Sequence, residues 1–385
     1  MACDGERRLG QCSQHPRYFH CQLAWVVGAV IVAQVCAGRS EVDRSVPRCN
    51  ISFAQDKLPF ARLSGCSLRD YLAAGSEGNS ALQKLLWQHG VLVFEKQDLT
   101  PEEEVAVNRA FECHDGGESS GTGYNANSNK SNSAVLPGLP VLCQGNVVLN
   151  DHYGVSGPLK MSLTMDNEGF HGDGIHNMQT GLPAITSMYC LEAPEQGGET
   201  HFACGRKALA QAKPEVYALA KRMKIHYIYD EGLGLPIMRD GIVRTGREMP
   251  AGVATGSSLH TVHPLVRVHP ETGNASVYIS CGNIDYIEAR ATDTEAAVHF
   301  DTTASYNFVE ELLGSVTQPP LVYAHRWKKG DFVIWDNRLT LHSPGIPERM
   351  IGKRLHHRVR LTGSKHANRD LEGPSELKAC QKNKQ

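Results

Sequence analysis

Phe170-His-Gly-Asp173 sets an imidazole and a carboxylate two residues apart. On an extended strand, residues two apart point to the same face, so His171 and Asp173 can converge on one ion. That donor pair suits Fe(II), Mn(II) or Zn(II). By itself the tripeptide carries little weight, because a chain with 18 histidines produces such a pair by chance, and His176 competes as a ligand by proximity. A second group lies in residues 330–342, where an apolar strand runs into a polar turn with His342 just beyond it. Such a histidine, taken alone, is structural. Arg354 and Arg358 follow in Arg-Leu-His-His-Arg. On a strand both guanidiniums face one side, where they either clamp carboxylates in bidentate fashion or stand as solvated or salt-bridged cations.

Together these pieces form a two-histidine, one-carboxylate set, the arrangement with which non-haem Fe(II) oxygenases leave coordination positions open. At this point the chain resembles the taurine dioxygenase (TauD/TfdA) family of Fe(II)- and 2-oxoglutarate-dependent dioxygenases. The resemblance covers roughly residues 80–362. It rests on Gly90-Val-Leu-Val-Phe94 with Leu99-Thr-Pro101, on Phe170-His-Gly-Asp173, and on Gly197-Gly-Glu-Thr200. It continues through the segment from His263 to Gly273 and ends with Trp335-Asp-Asn-Arg338, His342, Arg354 and Arg358.

The resemblance implies that His171, Asp173 and His342 ligate iron and that Thr200 contacts 2-oxoglutarate. It implies that Arg354 pairs with the distal carboxylate of 2-oxoglutarate and that Arg358 faces an anionic group of the substrate. Asn167 falls at a substrate-side position if the alignment has no gap there. The implied reaction oxidises 2-oxoglutarate to succinate and CO2 with O2 and hydroxylates or otherwise oxidises a small, anionic organic molecule. Related halogenases carry a small residue in place of the carboxylate ligand; Asp173 is present here, which favours oxidation over halogenation. Residues 113–136 and 232–258 depart from the family pattern where substrate is selected, so taurine is not the expected substrate. The alternative reading is a non-catalytic jelly-roll module that binds a ligand, with or without a membrane tether.

The elements that must position these groups read as mainly β with flanking helices. The implied fold is a double-stranded β-helix, or jelly roll. Residues 90–94 read as a buried strand, and Thr100-Pro-Glu-Glu103 as a capping box opening a helix. Further helices are expected at 214–224 and 307–313. Strands are expected at 262–268, 275–280, 331–335 and 354–361. The polar stretch 116–132 reads as a long loop.

The chain has 385 residues and a formal net charge of −2, without a long basic run, which argues against sequence-independent nucleic-acid binding. The apolar run 23–37, behind Arg7, Arg8 and Arg17, is shorter than a spanning helix and fits the core of a secretory signal. An uncleaved membrane anchor, an organelle-targeting leader and a buried core helix of a cytoplasmic chain are the alternatives. The expected organisation is a leader at 1–45, a dioxygenase domain at 46–363 and a polar tail at 364–385. The cysteines outside the leader form no CxxC pair and read as buried thiols more readily than as a disulfide scaffold. Asn50, Asn129 and Asn274 begin N-glycosylation sequons, which matter only if the chain enters the secretory pathway.

Overall fold

Val91–Phe94 and Phe332–Asp336 are buried along their whole length, which is why both read as short uninterrupted apolar runs. In this computed structural model they lie side by side in a mainly antiparallel eight-stranded sheet. The residues described are 46–112, 133–136, 138–148, 150–153, 169–173, 183–228, 238–239, 242–243, 260–290, 296–345 and 350–362. All belong to one unit, Arg44–Gln385. The leader, Cys113, residues 116–132, Asn129, Asn167, His176, most of 232–258 and the tail fall outside them.

The order across the large sheet is Asn50–Phe53, Ala61–Ser64, Val91–Phe94, Phe332–Asp336, Pro183–Glu192, Leu355–Thr362, Leu142–Gly145 and Ser133–Val135. Its two faces bury different partners. Leu92, Phe94, Phe332 and Ile334 pack in one cluster with Leu68, Leu82, Leu86 and Val107, which come from the helices Leu68–Ala73, Gly75–His89 and Pro101–Arg109. Val91, Val93, Val333 and Trp335 point the other way and pack with Phe202 and Tyr323 of a three-stranded sheet. That sheet is ordered Val322–His325, Thr200–Cys204, Thr340–Pro344. Two sheets packed face to face with helices outside give the jelly roll that the resemblance implied.

Local signals hold at several ends. Thr100 Oγ1 accepts the Glu103 N–H while Glu103 Oε2 accepts the Thr100 N–H at 2.8 Å, so the capping box is formed. Gly90, at φ +76°, ends the helix Gly75–His89 and turns the chain into its strand.

Other boundaries differ. The helix at 214 stops at Ala220, because Met223–Ile228 is taken up between His260–Pro264 and Ile284–Ala289 in a four-stranded sheet. The later helix starts earlier, at Thr302, where the Asp301 carboxylate accepts the Ala304 N–H. The strand expected at 262–268 is split into His260–Pro264 and Val266–Val268. Cys143, Cys190, Cys204 and Cys281 are buried thiols as expected, but Cys49 and Cys66 form a disulfide. Among the described residues no helix is long and apolar enough to cross a membrane.

Candidate active site

His342 lies in the middle of Thr340–Pro344, a strand zipped onto Thr200–Cys204. His171 is laid directly opposite it: His171 N–H donates to His342 O at 2.8 Å, and His342 N–H donates back at 2.9 Å. Gly172 N–H bonds Ile279 O on the other side, so the short HxD segment is sewn between two chains. The imidazole centroids are 4.3 Å apart. One donor atom each from His171, Asp173 and His342 falls within 4.8 Å of the others, and all three residues are buried.

The chemistry of this set suits a divalent metal. His171 Nδ1 is 2.9 Å from Gly169 O, a contact that puts the proton on Nδ1 and the lone pair on Nε2. Burial, with His171 alongside, pushes His342 down to about 3, so its ring is neutral as a ligand must be. Burial opposes ionisation of Asp173, yet Arg358, His342, Arg360 and His171 together hold its carboxyl well below the usual carboxylate range. Two imidazoles and one ionised carboxylate brought together in this way match the two-histidine, one-carboxylate donor set that suits non-haem Fe(II).

A buried network fixes the carboxylate. Thr186 Oγ1 donates to Asp173 Oδ2 at 2.6 Å, and Arg358 Nη2 donates to Asp173 Oδ1. Asn337 donates from Nδ2 to Thr186 Oγ1 at 2.9 Å. Its Oδ1 accepts the Asp173 N–H at 3.2 Å and the Trp335 indole N–H at 3.1 Å. One step along, Asp336 is paired with Arg338 and with His269, which braces the turn that leads to His342. Arg358, which the resemblance directs at an anionic substrate, thus has its Nη2 on the metal-side carboxylate.

Arg354 and Thr200 lie on neighbouring elements. Thr200 sits at the start of Thr200–Cys204, opposite His325 and Pro344, and its Oγ1 accepts the Trp327 indole N–H at 3.1 Å. Trp327 in turn lies with its ring 4.4 Å from that of His356, a fully buried histidine whose two nitrogens have no hydrogen-bond partner among the described residues. Arg354 is buried too, and burial, with Arg358 adding to it and Cys190 opposing, brings its guanidinium down to about 10. Its backbone is clipped from outside. Asn146 Oδ1 accepts the Arg354 N–H at 2.7 Å, and the Asn146 N–H donates to Arg354 O at 3.0 Å. The approach is so close that a Cβ at Gly145 would stand 1.9 Å from Arg354 O.

Of the residues picked out by type, spacing or resemblance, the structure brings His171, Asp173, His342 and Arg358 into one contact set, and Arg354 and Thr200 are buried as well. Thr186, Asn146, Trp327 and His356 carried no signal of their own. Asn337 and Trp335 stood inside a quoted motif, but nothing in their types showed that they hold Asp173.

The taurine catabolism dioxygenase TauD, TfdA family matches residues 54–359. An (S)-phenoxypropionate/α-ketoglutarate dioxygenase of Sphingobium herbicidovorans is 27% identical over 292 residues, 73% of this chain and 85% of that protein. An α-ketoglutarate-dependent 2,4-dichlorophenoxyacetate dioxygenase of Cupriavidus pinatubonensis is 26% identical over 274 residues, 70% of this chain and 84% of that protein. The crystal structure of a taurine dioxygenase from Burkholderia xenovorans superposes with a TM-score of 0.56 at 21% identity, covering 82% of this chain and 92% of its own. With the family match spanning most of its length, the chain belongs to the TauD/TfdA family and is an α-ketoglutarate-dependent dioxygenase.

Proposed function

We propose that this chain oxidises a small organic anion, with 2-oxoglutarate converted to succinate and CO2, at the site built from His171, Asp173 and His342. The observation that carries the reading is the convergence of those three donor atoms within 4.8 Å in a buried setting. Fe(II), when bound there, supplies activation of dioxygen. The protein's part is to hold the donors in their ligating protonation states, anchor the co-substrate and keep bulk water away. Arg354, buried and backbone-clipped, pairs with the distal carboxylate of 2-oxoglutarate, and Thr200 donates its hydroxyl beside it. Asn167 retains a substrate-side role in this proposal.

The anionic character of the substrate is supported by charge and by kinship. Arg358 and Arg360 act on Asp173 and Arg354 lies within the field of Arg358, and both carboxylates and sulfonates are stabilised by such a cationic stretch. The two curated relatives are named for aryloxy carboxylates. The intact donor set together with the buried Arg354 speaks against a non-catalytic module.

The test is succinate formation from 2-oxoglutarate over a panel of aryloxy and alkyl carboxylates, sulfonates and uncharged isosteres, with and without Fe(II). The expected result is iron-dependent succinate release stimulated by anionic members and abolished in His342→Ala. Stimulation by the uncharged isosteres alone would contradict the anion assignment. No succinate with any compound from folded, iron-loaded protein would contradict the activity.

A further inference from the structure

Asn50–Phe53 is the outermost strand of the eight-stranded sheet, and all four of its residues are exposed. Among the described residues it pairs on one side only, with Ala61–Ser64. Ile51 is 51% exposed and Phe53 67%, so this edge offers both unpaired backbone groups and apolar side chains, the combination that recruits another strand. Two features treat that edge. Cys49, immediately before it, is bonded to Cys66, just past the end of its partner strand, which closes the open end of the strand pair covalently. Asn50 itself heads Asn50-Ile-Ser52, an acceptor sequence for N-linked oligosaccharide with a residue other than proline in the middle.

The same pattern recurs at Asn274-Ala-Ser276. Asn274 is exposed, between Val266–Val268 and Ala275–Val277, and its position is set by backbone contacts: its N–H donates to Thr272 Oγ1 at 3.3 Å and its carbonyl accepts the His269 N–H at 2.9 Å. A disulfide persists in oxidising compartments, which are also where N-glycosylation occurs. The apolar run 23–37 behind three arginines supplies a sequence of the type that routes a chain there.

We propose that Asn50 and Asn274 are N-glycosylation sites, in a chain that matures in an oxidising secretory lumen. In that step the carboxamide Nδ2 of asparagine bonds to the anomeric carbon of an oligosaccharide carried on a polyprenyl diphosphate. The anomeric C–O bond to the carrier breaks, the lipid diphosphate leaves, and the amide gives up one proton. The Cys49–Cys66 bond forms as two thiols lose two protons and two electrons to the disulfide of a thiol oxidoreductase, which becomes a dithiol. On the edge strand the glycan at Asn50 sets a bulky hydrated mass beside the open edge, on the face opposite Ile51 and Phe53, and prevents a second chain from adding to the sheet. This proposal is independent of the catalytic reading.

The test uses the full chain produced in animal cells with a competent secretory pathway. Intact protein is run before and after peptide N-glycanase, beside the Ser52→Ala and Asn274→Gln variants. Ser52 is exposed, so its replacement removes the acceptor sequence while leaving Asn50 and the strand in place. The expected result is a mobility shift on enzyme treatment, one part of it lost in each variant. Asn50 and Asn274 are then recovered as aspartate in the peptide map. Cys49 and Cys66 resist alkylation until reductant is added. An unmodified asparagine at either position overturns the assignment there. Retention in the cytosol with Cys49 and Cys66 alkylated without reductant overturns the proposal as a whole.

Discussion

His171 and His342 form a mutually hydrogen-bonded backbone pair, at 2.8 and 2.9 Å, with their imidazole centroids 4.3 Å apart. The spacing of two of the three candidate ligands is thus set by a β-bridge rather than by a metal. Removing the metal therefore leaves the pair in place. Chelation is expected to lower the melting temperature without changing the far-ultraviolet circular dichroism. A metal held at about 100 times its dissociation constant contributes roughly 2.7 kcal/mol, which returning Fe(II) or Mn(II) should restore. Loss of strand signal on chelation would contradict a preformed site.

The clip on Arg354 gives a separable prediction. Asn146→Ala strips the acceptor from a buried backbone N–H, a loss of about 1–3 kcal/mol. If Arg354 anchors 2-oxoglutarate, its affinity should fall by up to roughly 5- to 150-fold while Fe(II) affinity stays within about twofold. The apparent KM for 2-oxoglutarate should rise more than kcat falls. Equal losses of metal and co-substrate affinity would show that Asn146 merely supports the fold.

Thr186 is the hydroxyl on the far oxygen of Asp173 and at the same time the acceptor for Asn337. Thr186→Val keeps the shape and removes both links. Supporting hydrogen bonds of this kind are worth about 10- to 100-fold in metal affinity, so the variant should bind Fe(II) more weakly by that factor. Thr186→Ser, which retains the hydroxyl, should recover most of the loss. Measured metal affinity equal to the parent in Thr186→Val would remove Thr186 from the site.

Three buried histidines make stability depend on pH. Burial pushes His356 well below 6.5, with Arg354, His325 and His357 adding to it, and burial likewise lowers His325 and His269. Each stays neutral when folded and takes up a proton near 6.5 when unfolded. Their stabilisation is thus complete above about pH 6.5 and declines as pH falls below it, by up to roughly 1.4 kcal/mol per pH unit for each histidine. The melting temperature should drop between about pH 7.5 and pH 5.5, and less steeply in His356→Leu. Both proteins are compared metal-free, so that protonation of the metal-side histidines cancels. Parallel curves would exclude His356 from the acid response.

What could be read along the chain, and what could not, divides by range. A two-residue spacing let His171 and Asp173 share a face of an extended segment, but only the ordered set of motifs that runs on to His342, Arg354 and Arg358 singled them out. Val91–Phe94 and the Thr100 cap were legible because burial on both faces and a capping box are local patterns. The grip of Asn146 on Arg354 arises from the pairing of Leu355–Thr362 with Leu142–Gly145. No local pattern records that register. Helical character carried past Ala220 in the sequence, but Met223–Ile228 is held by strands on both sides, and tertiary pairing overrode it. The Cys49–Cys66 bond was hidden for a related reason: cysteine positions do not disclose connectivity.

In the proposed site His171, Asp173 and His342 hold Fe(II) with coordination positions open to 2-oxoglutarate. Anaerobic titration of the metal-free protein with Fe(II) and then 2-oxoglutarate tests it most directly, through the visible metal-to-ligand charge-transfer band. The expected result is a saturable band at one equivalent of iron that is absent in His342→Ala. A well-folded protein that binds iron and 2-oxoglutarate without that band would contradict it.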